Sequence, residues 1–397
     1  MTGSRDTNVL VIGAGPAGLA VAACLIRRGI VPVIVDRGAA VGDSWRGRYD
    51  RLHLHTPRVQ SALPGLRIPA RFGRWVARDD VVRYLRGYAR YHGINPELGV
   101  DARRIDRAGD RWRIATNRAD MLADQVVVAT GYNRVPRLPD WPGREGFPGA
   151  VRHASTYTTP APYRDRAVLV VGSGNTGAEI AADLAEAGAA RVWLAVRTPP
   201  HVMPRAFGPV PVTLLSITQD FAPPWVVDPL NRRLQRWFVG DLRPYGLPRP
   251  ARGLAAQFRA TDVVPIIDVG LVAQLRAGGV EPVAALTRFD GDEAVLADDR
   301  RLRPDAVIAA TGYTRGLEAL VGHLGILDAA GRPLVHGAAT HPAAPGLRFV
   351  GLSNPLKGLL LQINLDARAV ARAVARERRR ARTPRTGALG APGAGGL

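Results

Sequence analysis

The chain has 397 residues, 46% hydrophobic and 22% charged, with 54 Lys plus Arg against 34 Asp plus Glu and a formal net charge of +20. That length accommodates two or three domains with full cores, and no apolar run reaches the about 20 residues that cross a bilayer. A single cysteine, Cys24, excludes an intrachain disulfide, a Cys-rich metal or iron–sulfur site and a CxxC redox centre, and with them the flavin disulfide reductases.

The excess charge is almost all Arg, Lys357 being the only lysine. No Arg-rich helix with interleaved aromatics stands out, so charge alone does not point to nucleic acid. The apolar stretch Val9 to Ile26 is not read as a signal peptide, because it carries a glycine fingerprint and its Arg27-Arg28 pair follows the apolar segment. The expectation is a cytoplasmic enzyme with no nucleic-acid and no membrane partner; the oligomeric state is open.

The first element is a strand, Val9 to Ile12, running into GAGPAG at Gly13, Gly15, Pro16, Ala17 and Gly18, then an apolar helix, then Val33-Ile-Val35 and Asp36. This is the strand, glycine turn, helix and acidic strand end of a dinucleotide fold. The first glycine permits the turn, the second lets backbone approach a pyrophosphate, and the third lets helix and strand pack. Asp36 can accept from a free ribose 2′-hydroxyl and would repel a 2′-phosphate, so this site suits FAD or NAD.

Leu52 to His55 alternates as a short strand, and helical spacing covers Arg78 to His92 behind Asp79-Asp80. Strands are expected near Arg111 to Thr116 and at Gln125 to Ala129, the latter closing in Thr130-Gly131-Tyr132. The Pro-rich stretch Val135 to Pro148 reads as a linker.

A second fingerprint follows: Val168 to Val171, then GSGNTG at Gly172, Ser173, Gly174, Asn175, Thr176 and Gly177, a helix, and Val192 to Val196 ending in Arg197. Arg197 can pair with a 2′-phosphate, so this site suits NADPH. Ser173, Asn175 and Thr176 sit where backbone and side-chain donors meet phosphates. From Pro199 to Pro265 periodicity is poor, with helical spacing only at Pro229 to Phe238. Asp305 to Tyr313 repeats the earlier apolar strand with its ATGY turn, which suggests a return to the first domain. A strand at Leu347 to Gly351 and a helix from Leu365 to about Arg376 close the folded part, and the Arg- and Gly-rich residues 377–397 are expected to be disordered.

Between the fingerprints stands Phe147-Pro-Gly149-Ala-Val-Arg-His153-Ala-Ser-Thr-Tyr157, an FxGxxxHxxxY motif. With both fingerprints, with Gly42-Asp-Ser44-Trp45-Arg46, Tyr49 to His55 and His201-Val-Met-Pro204, the chain resembles the class B flavin-dependent monooxygenases, and within them the YUCCA branch, from about Asn8 to Arg376. The resemblance implies an α/β fold of two Rossmann-like dinucleotide-binding domains, an NADPH domain at 159–303 inserted into a discontinuous FAD domain at 1–158 and 304–376. It implies FAD and NADPH as cofactors, O2 and a small organic molecule as substrates, and one oxygen atom delivered through a flavin (hydro)peroxide. Arg37, Ser44, Trp45, His55 and Thr56 join the glycine turn and Asp36 as candidate flavin contacts. The cofactor carries the chemistry, so no catalytic residue is assigned, and no His spacing suggests a metal site. His153 is read as an organiser of the inter-domain linker. Nitrogen or sulfur oxygenation and oxidative decarboxylation of a 2-oxo acid such as indole-3-pyruvate remain open. Ketone (Baeyer–Villiger) oxygenation is disfavoured because the motif ends in Tyr157 rather than Trp. A reductase feeding a protein acceptor, or an oxidase, stands outside the family reading.

Overall fold

The computed structural model describes residues 5–219 and 222–382. Its first sheet is built on β1 (Arg5–Ile12), flanked by β2 (Val33–Asp36), which pairs with β3 (Glu97–Leu98). On its other side β1 pairs with β6 (Met121–Val128), and the antiparallel hairpin β4 (Ala102–Ala108) and β5 (Arg111–Thr116) extends the sheet beyond β6. The β1–β2 register sets Leu10 against Val33 and Ile12 against Val35. Val9–Ile12, Ile34–Val35 and Val126–Val128 are buried, hence their unbroken apolar runs at the centre of the sheet.

Helix α1 (Pro16–Ile26) follows the first turn and is buried from Ala17 to Leu25. Its small residues let the terminal helix pack closely: Ala17, Ala20 and Ala23 share one core cluster with Ile363, Ala367 and Val370. Cys24 is in that cluster, and burial pushes its thiol pKa up. The amphipathic segment forms α2 (Arg78–Tyr91), with Asp79 and Asp80 in its first turn and Val81, Leu85 and Tyr88 facing the core.

The second sheet is wholly parallel and contains β7 (Ala150–His153), β8 (Ala167–Val171), β9 (Arg191–Val196), β12 (Glu281–Ala284) and β13 (Ala306–Ala309), in the order β12-β9-β8-β13-β7. Helix α3 (Asn175–Glu186) joins β8 to β9. Between β9 and β12 lie β10 (Val202–Pro204) and β11 (Ile266–Asp268), which pair with each other, and helices α4 (Val212–Gln219), α5 (Pro224–Phe238) and α6 (Leu254–Thr261). The chain re-enters the first sheet as β14 (Leu347–Phe349) beside β6 and ends in helix α7 (Leu359–Arg382).

Four expectations are corrected. The strand of the second ATGY turn does not rejoin the first sheet: β13 is hydrogen-bonded between β8 and β7 in the second. The two ATGY strands are alike because each lies beside the glycine-turn strand of its own sheet. Leu52 to His55 forms only an isolated bridge, His53 to Ala77, since its side chains serve the seam described below. Helix α5 begins at Pro224, where a proline in the first turn is tolerated, and runs through Pro229. Helix α7 covers Leu359–Arg382, so residues 377–382 of the expected tail are helical; Arg348, fully buried, holds Glu377 there. The remaining tail, 383–397, lies outside the described residues. No helix among the described residues is long and apolar enough to cross a membrane.

Candidate active site

The two glycine turns are structural copies. Gly13 has φ +113°, and a Cβ there would stand 2.4 Å from the Ala129 carbonyl oxygen; Gly172 has φ +115° and the same conflict at 2.5 Å with Ala310. A Cβ on Gly18 would stand 1.8 Å from the Gly13 oxygen, and one on Gly177 1.9 Å from the Gly172 oxygen. These four glycines are required by packing. Gly15 and Gly174 are not: a Cβ on either meets nothing within 4 Å. Each precedes a helix and has no side-chain cap, so the first N–H groups of α1 and α3 are left for an outside acceptor. Bare backbone at both helix starts fits the close approach of two pyrophosphates.

Asp36 ends β2 held on both sides: Oδ2 accepts from the Ala14 N–H at 2.6 Å and Oδ1 from Gly38 at 2.6 Å. It lines a cleft with Gly13, Gly15, Pro16, Ala17, Arg37, Ser44, Trp45, His55, Thr56 and Thr176, enclosing about 1950 Å³ of empty space with its open mouth included. The cleft continues along Tyr132, Arg134 and the start of α7, where Leu359, Leu360 and Ile363 form the wall. The fixed acid, the glycine turn and this length fit FAD.

Gly18 is absent from the cleft wall because it packs against Gly13. Gly172, Ser173, Gly174, Gly177 and Arg197 are also outside it, at the open end of the second sheet. Arg197 is exposed at the end of β9 and forms no ion pair among the described residues, which leaves its guanidinium available for a phosphate. Ser173 donates to the Thr198 carbonyl at 3.3 Å. Asn175 departs from expectation: its amide donates to Pro265 O at 3.0 Å and accepts from Ile267 N–H at 2.7 Å, so the side chain fastens β11 rather than facing a phosphate.

The His153 and Tyr157 contacts of the FxGxxxHxxxY motif lie within the unit of the second sheet. Buried His153 meets the Gly312 carbonyl at 3.0 Å and its ring lies edge-on to Tyr313 at 4.9 Å, pinning the second ATGY turn. Burial lowers the His153 pKa, which suits a neutral ring in a positioning role. The Tyr157 hydroxyl donates to Asp183 at 2.6 Å.

Sequence reasoning missed what lies opposite. Helix α3 carries Glu179, Asp183 and Glu186 at positions i, i+4 and i+7, one helix face. Glu179, 3% exposed, accepts from Tyr49 Oη at 3.1 Å and meets His55 Nε2 at 2.6 Å. Arg51 reaches Glu186 at 2.8 Å and Asp183 at 3.4 Å. The segment Tyr49 to His55 is therefore a polar zipper onto the helix that starts at the second nucleotide turn. An acidic residue inside an otherwise Ala-rich, buried helix face was the available signal.

His55 and Thr56 also line a second, mostly apolar cavity of about 840 Å³, again counting its opening. Met203, Phe207, Leu234, Leu254 and Ile267 form its walls, with Thr213, Ser216 and Asn231 as polar points. The two spaces share His55, Thr56, Asn354 and Gly358. Gly358 has φ +90° and a Cβ there would lie 2.4 Å from the Thr56 methyl, so the neck depends on glycine.

Residues 10–204 match the family described as pyridine nucleotide-disulphide oxidoreductase. The chain is 34% identical over 317 residues to Indole-3-pyruvate monooxygenase YUCCA1 of Oryza sativa subsp. japonica, covering 78% of each. It is 33% identical over 379 residues to Probable indole-3-pyruvate monooxygenase YUCCA3 of Arabidopsis thaliana, covering 92% of this chain and 86% of that one. The chain belongs to the class B flavin-dependent monooxygenase family. Its fold superposes on the flavin-containing monooxygenase from Stenotrophomonas maltophilia with a TM-score of 0.72 and 25% identity, over 94% of this chain and 99% of that one. This flavin monooxygenase uses FAD and NADPH as cofactors. The disulfide chemistry in the matched family's description has no counterpart here, since Cys24 is the only cysteine and is buried.

Proposed function

We propose that this monooxygenase carries out the oxidative decarboxylation of an aryl 2-oxo acid of the indole-3-pyruvate type. The 2-oxo acid, O2, NADPH and a proton give the carboxylic acid one carbon shorter, CO2, water and NADP+. The observation that carries the reading is the apolar cavity opening through a polar neck onto the cofactor cleft. Its size and lining suit an aromatic side chain, and the neck groups His55, Thr56 and Asn354 can orient a 2-oxo acid head. The names of the YUCCA relatives support the same substrate class.

FAD, when bound, supplies oxygen activation with electrons from NADPH. The chain's contribution is placement. Gly13, Gly15, Pro16, Ala17 and Asp36 hold the FAD pyrophosphate and ribose, Gly18 packs α1 against the turn, and Arg37, Ser44, Trp45, His55 and Thr56 continue the site. Gly172, Ser173, Gly174, Thr176 and Arg197 hold NADPH, Arg197 at the 2′-phosphate, while Asn175 and Gly177 shape the turn. The apolar cavity excludes water from the reacting atoms. The nucleotide-binding unit of the second sheet sits within a discontinuous FAD unit, and sheet membership favours edges near 150 and 310 over 159 and 303. The substrate is a small molecule, no nucleic acid is involved, and the enzyme works in the cytoplasm.

No arginine or lysine side chain lines the apolar cavity among the described residues. This favours nitrogen or sulfur oxygenation of a neutral substrate as the second reading. Oxygen-dependent NADPH oxidation should rise in the presence of indole-3-pyruvate or phenylpyruvate, with one acid formed per NADPH. Stimulation by neutral amines or thioethers with none by either acid would replace the first reading with the second.

A further inference from the structure

Helix α5 has two unlike faces. The inner face is part of the enzyme: Asn231 and Leu234 line the apolar cavity, and Phe238 packs on Phe207 of its wall with ring centroids 4.6 Å apart. Asp228, the helix's only acidic residue, is buried here and accepts from the Ala255 N–H at 2.7 Å and the Ala256 N–H at 3.2 Å, capping α6.

No element among the described residues covers the outer face. Trp225 is 79% exposed and Trp237 85% exposed, with Val226 and Leu230 between them also exposed. Twelve residues separate the two indoles, about 18 Å along the axis and on the same half of the helix. Arg232, Arg233 and Arg236 are interleaved, exposed and without a salt bridge among the described residues. Trp and aliphatic side chains flanked by Arg, with the helix's one carboxylate turned inward, match a helix lying in the interface of an anionic bilayer. Helical spacing is legible in the sequence from Pro229 to Phe238, but Trp225 and Val226 lie before it, among Pro223, Pro224 and Pro229.

We propose that the outer face of α5 docks this enzyme on the surface of a membrane rich in anionic lipid. The helix lies in the plane of the headgroups, Trp225 and Trp237 at the acyl boundary and the three arginines on phosphates. Charge decides between occupants. A second copy of the same face would bring six guanidinium groups together with no carboxylate from either helix, whereas anionic headgroups pair with all three arginines while the acyl region covers Val226 and Leu230. Docking would hold the outer wall of the substrate cavity against the bilayer, where apolar aryl substrates concentrate.

The test is sedimentation of the full-length holoenzyme with vesicles of phosphatidylglycerol or of phosphatidylcholine at low salt, with brominated acyl chains to quench inserted tryptophans. Binding to phosphatidylglycerol with quenching is expected, lost in phosphatidylcholine and weakened by added salt. The triple variant Arg232→Gln/Arg233→Gln/Arg236→Gln should bind on the order of a hundredfold more weakly. Trp225→Ser/Trp237→Ser should lose about tenfold or more and most of the quenching. Solution activity should be unchanged in both variants, which shows that they fold. Absence of wild-type binding, or equal binding by both variants, overturns the proposal. A wild-type dimer that the tryptophan variant makes monomeric, with no vesicle binding, would assign the face to a second copy instead.

Discussion

Gly15 and Gly18 stand three residues apart in one turn, and packing requires only the second, a difference that one experiment exploits. Gly15 has φ −77° and ψ −172°, a conformation open to any residue, and its added Cβ would meet no protein atom within 4 Å. Gly15→Ala should leave the apoprotein unharmed, or more stable by up to about 1 kcal/mol through the smaller entropy of the unfolded chain. With FAD placed as proposed, the same methyl would stand at the point of closest approach for the pyrophosphate, so FAD affinity should fall at least a hundredfold, about 2.7 kcal/mol. Gly18→Ala places its methyl 1.8 Å from the Gly13 oxygen, and α1 must move by more than 1 Å to relieve that contact. Its apoprotein should lose about 3 kcal/mol or more. The assays are denaturant unfolding of flavin-free protein and fluorescence titration with FAD. A Gly15→Ala protein that binds FAD like the wild type, or that unfolds as easily as Gly18→Ala, refutes the assignment of the turn to the pyrophosphate.

Arg197→Ala should raise KM for NADPH by ten- to a hundredfold (about 1.4–2.7 kcal/mol) and leave KM for NADH nearly unchanged; equal effects would remove Arg197 from the 2′-phosphate. Glu179→Ala strips the acceptor from Tyr49 and His55 in a buried setting and should cost about 2–3 kcal/mol in unfolding experiments, with Glu179→Gln milder because one acceptor remains. Unfolding of Glu179→Ala at the wild-type denaturant concentration would show that the zipper carries no stability. Burial raises the phenol pKa of Tyr49, Tyr88 and Tyr157, and pushes that of Tyr84 up to about 12. The folded values exceed the unfolded value near 10, so this stabilisation is complete below pH 10 and is lost as pH rises towards 12. Urea midpoints should fall over that window while absorbance at 295 nm reports phenolate only as the protein unfolds; titration of these tyrosines near pH 10 in the folded state would contradict their burial.

The features legible in the sequence are those whose cause is local. A turn that needs φ near +113° selects Gly13 whatever surrounds it, and the acid at the end of β2 is held by backbone N–H groups of Ala14 and Gly38 in its own motif. What escaped depends on residues far apart. β13 looks like a strand of the first sheet because both ATGY strands are buried and apolar; only pairing with β8 and β7 assigns it to the second. Glu179 reads as one acidic residue in a helix until His55 and Tyr49, more than a hundred positions away, fold against it. Asn175 occupies a phosphate-binding position in the motif, yet β11 claims its amide. Of helix α5 only Pro229 to Phe238 was legible; its start at Pro224 hid behind the prolines, since propensity argues against a first half that burial of Val227 and Asp228 nonetheless holds together.

In the proposed reaction NADPH electrons and O2 meet a small 2-oxo acid, and isotope transfer tests this most directly. Holoenzyme turned over with NADPH and indole-3-pyruvate under 18O2 should yield indole-3-acetate carrying one 18O in its carboxyl group, the second atom leaving in water, with one CO2 released per NADPH. NADPH consumed with all of the label recovered in hydrogen peroxide, and none in the acid, would contradict the account.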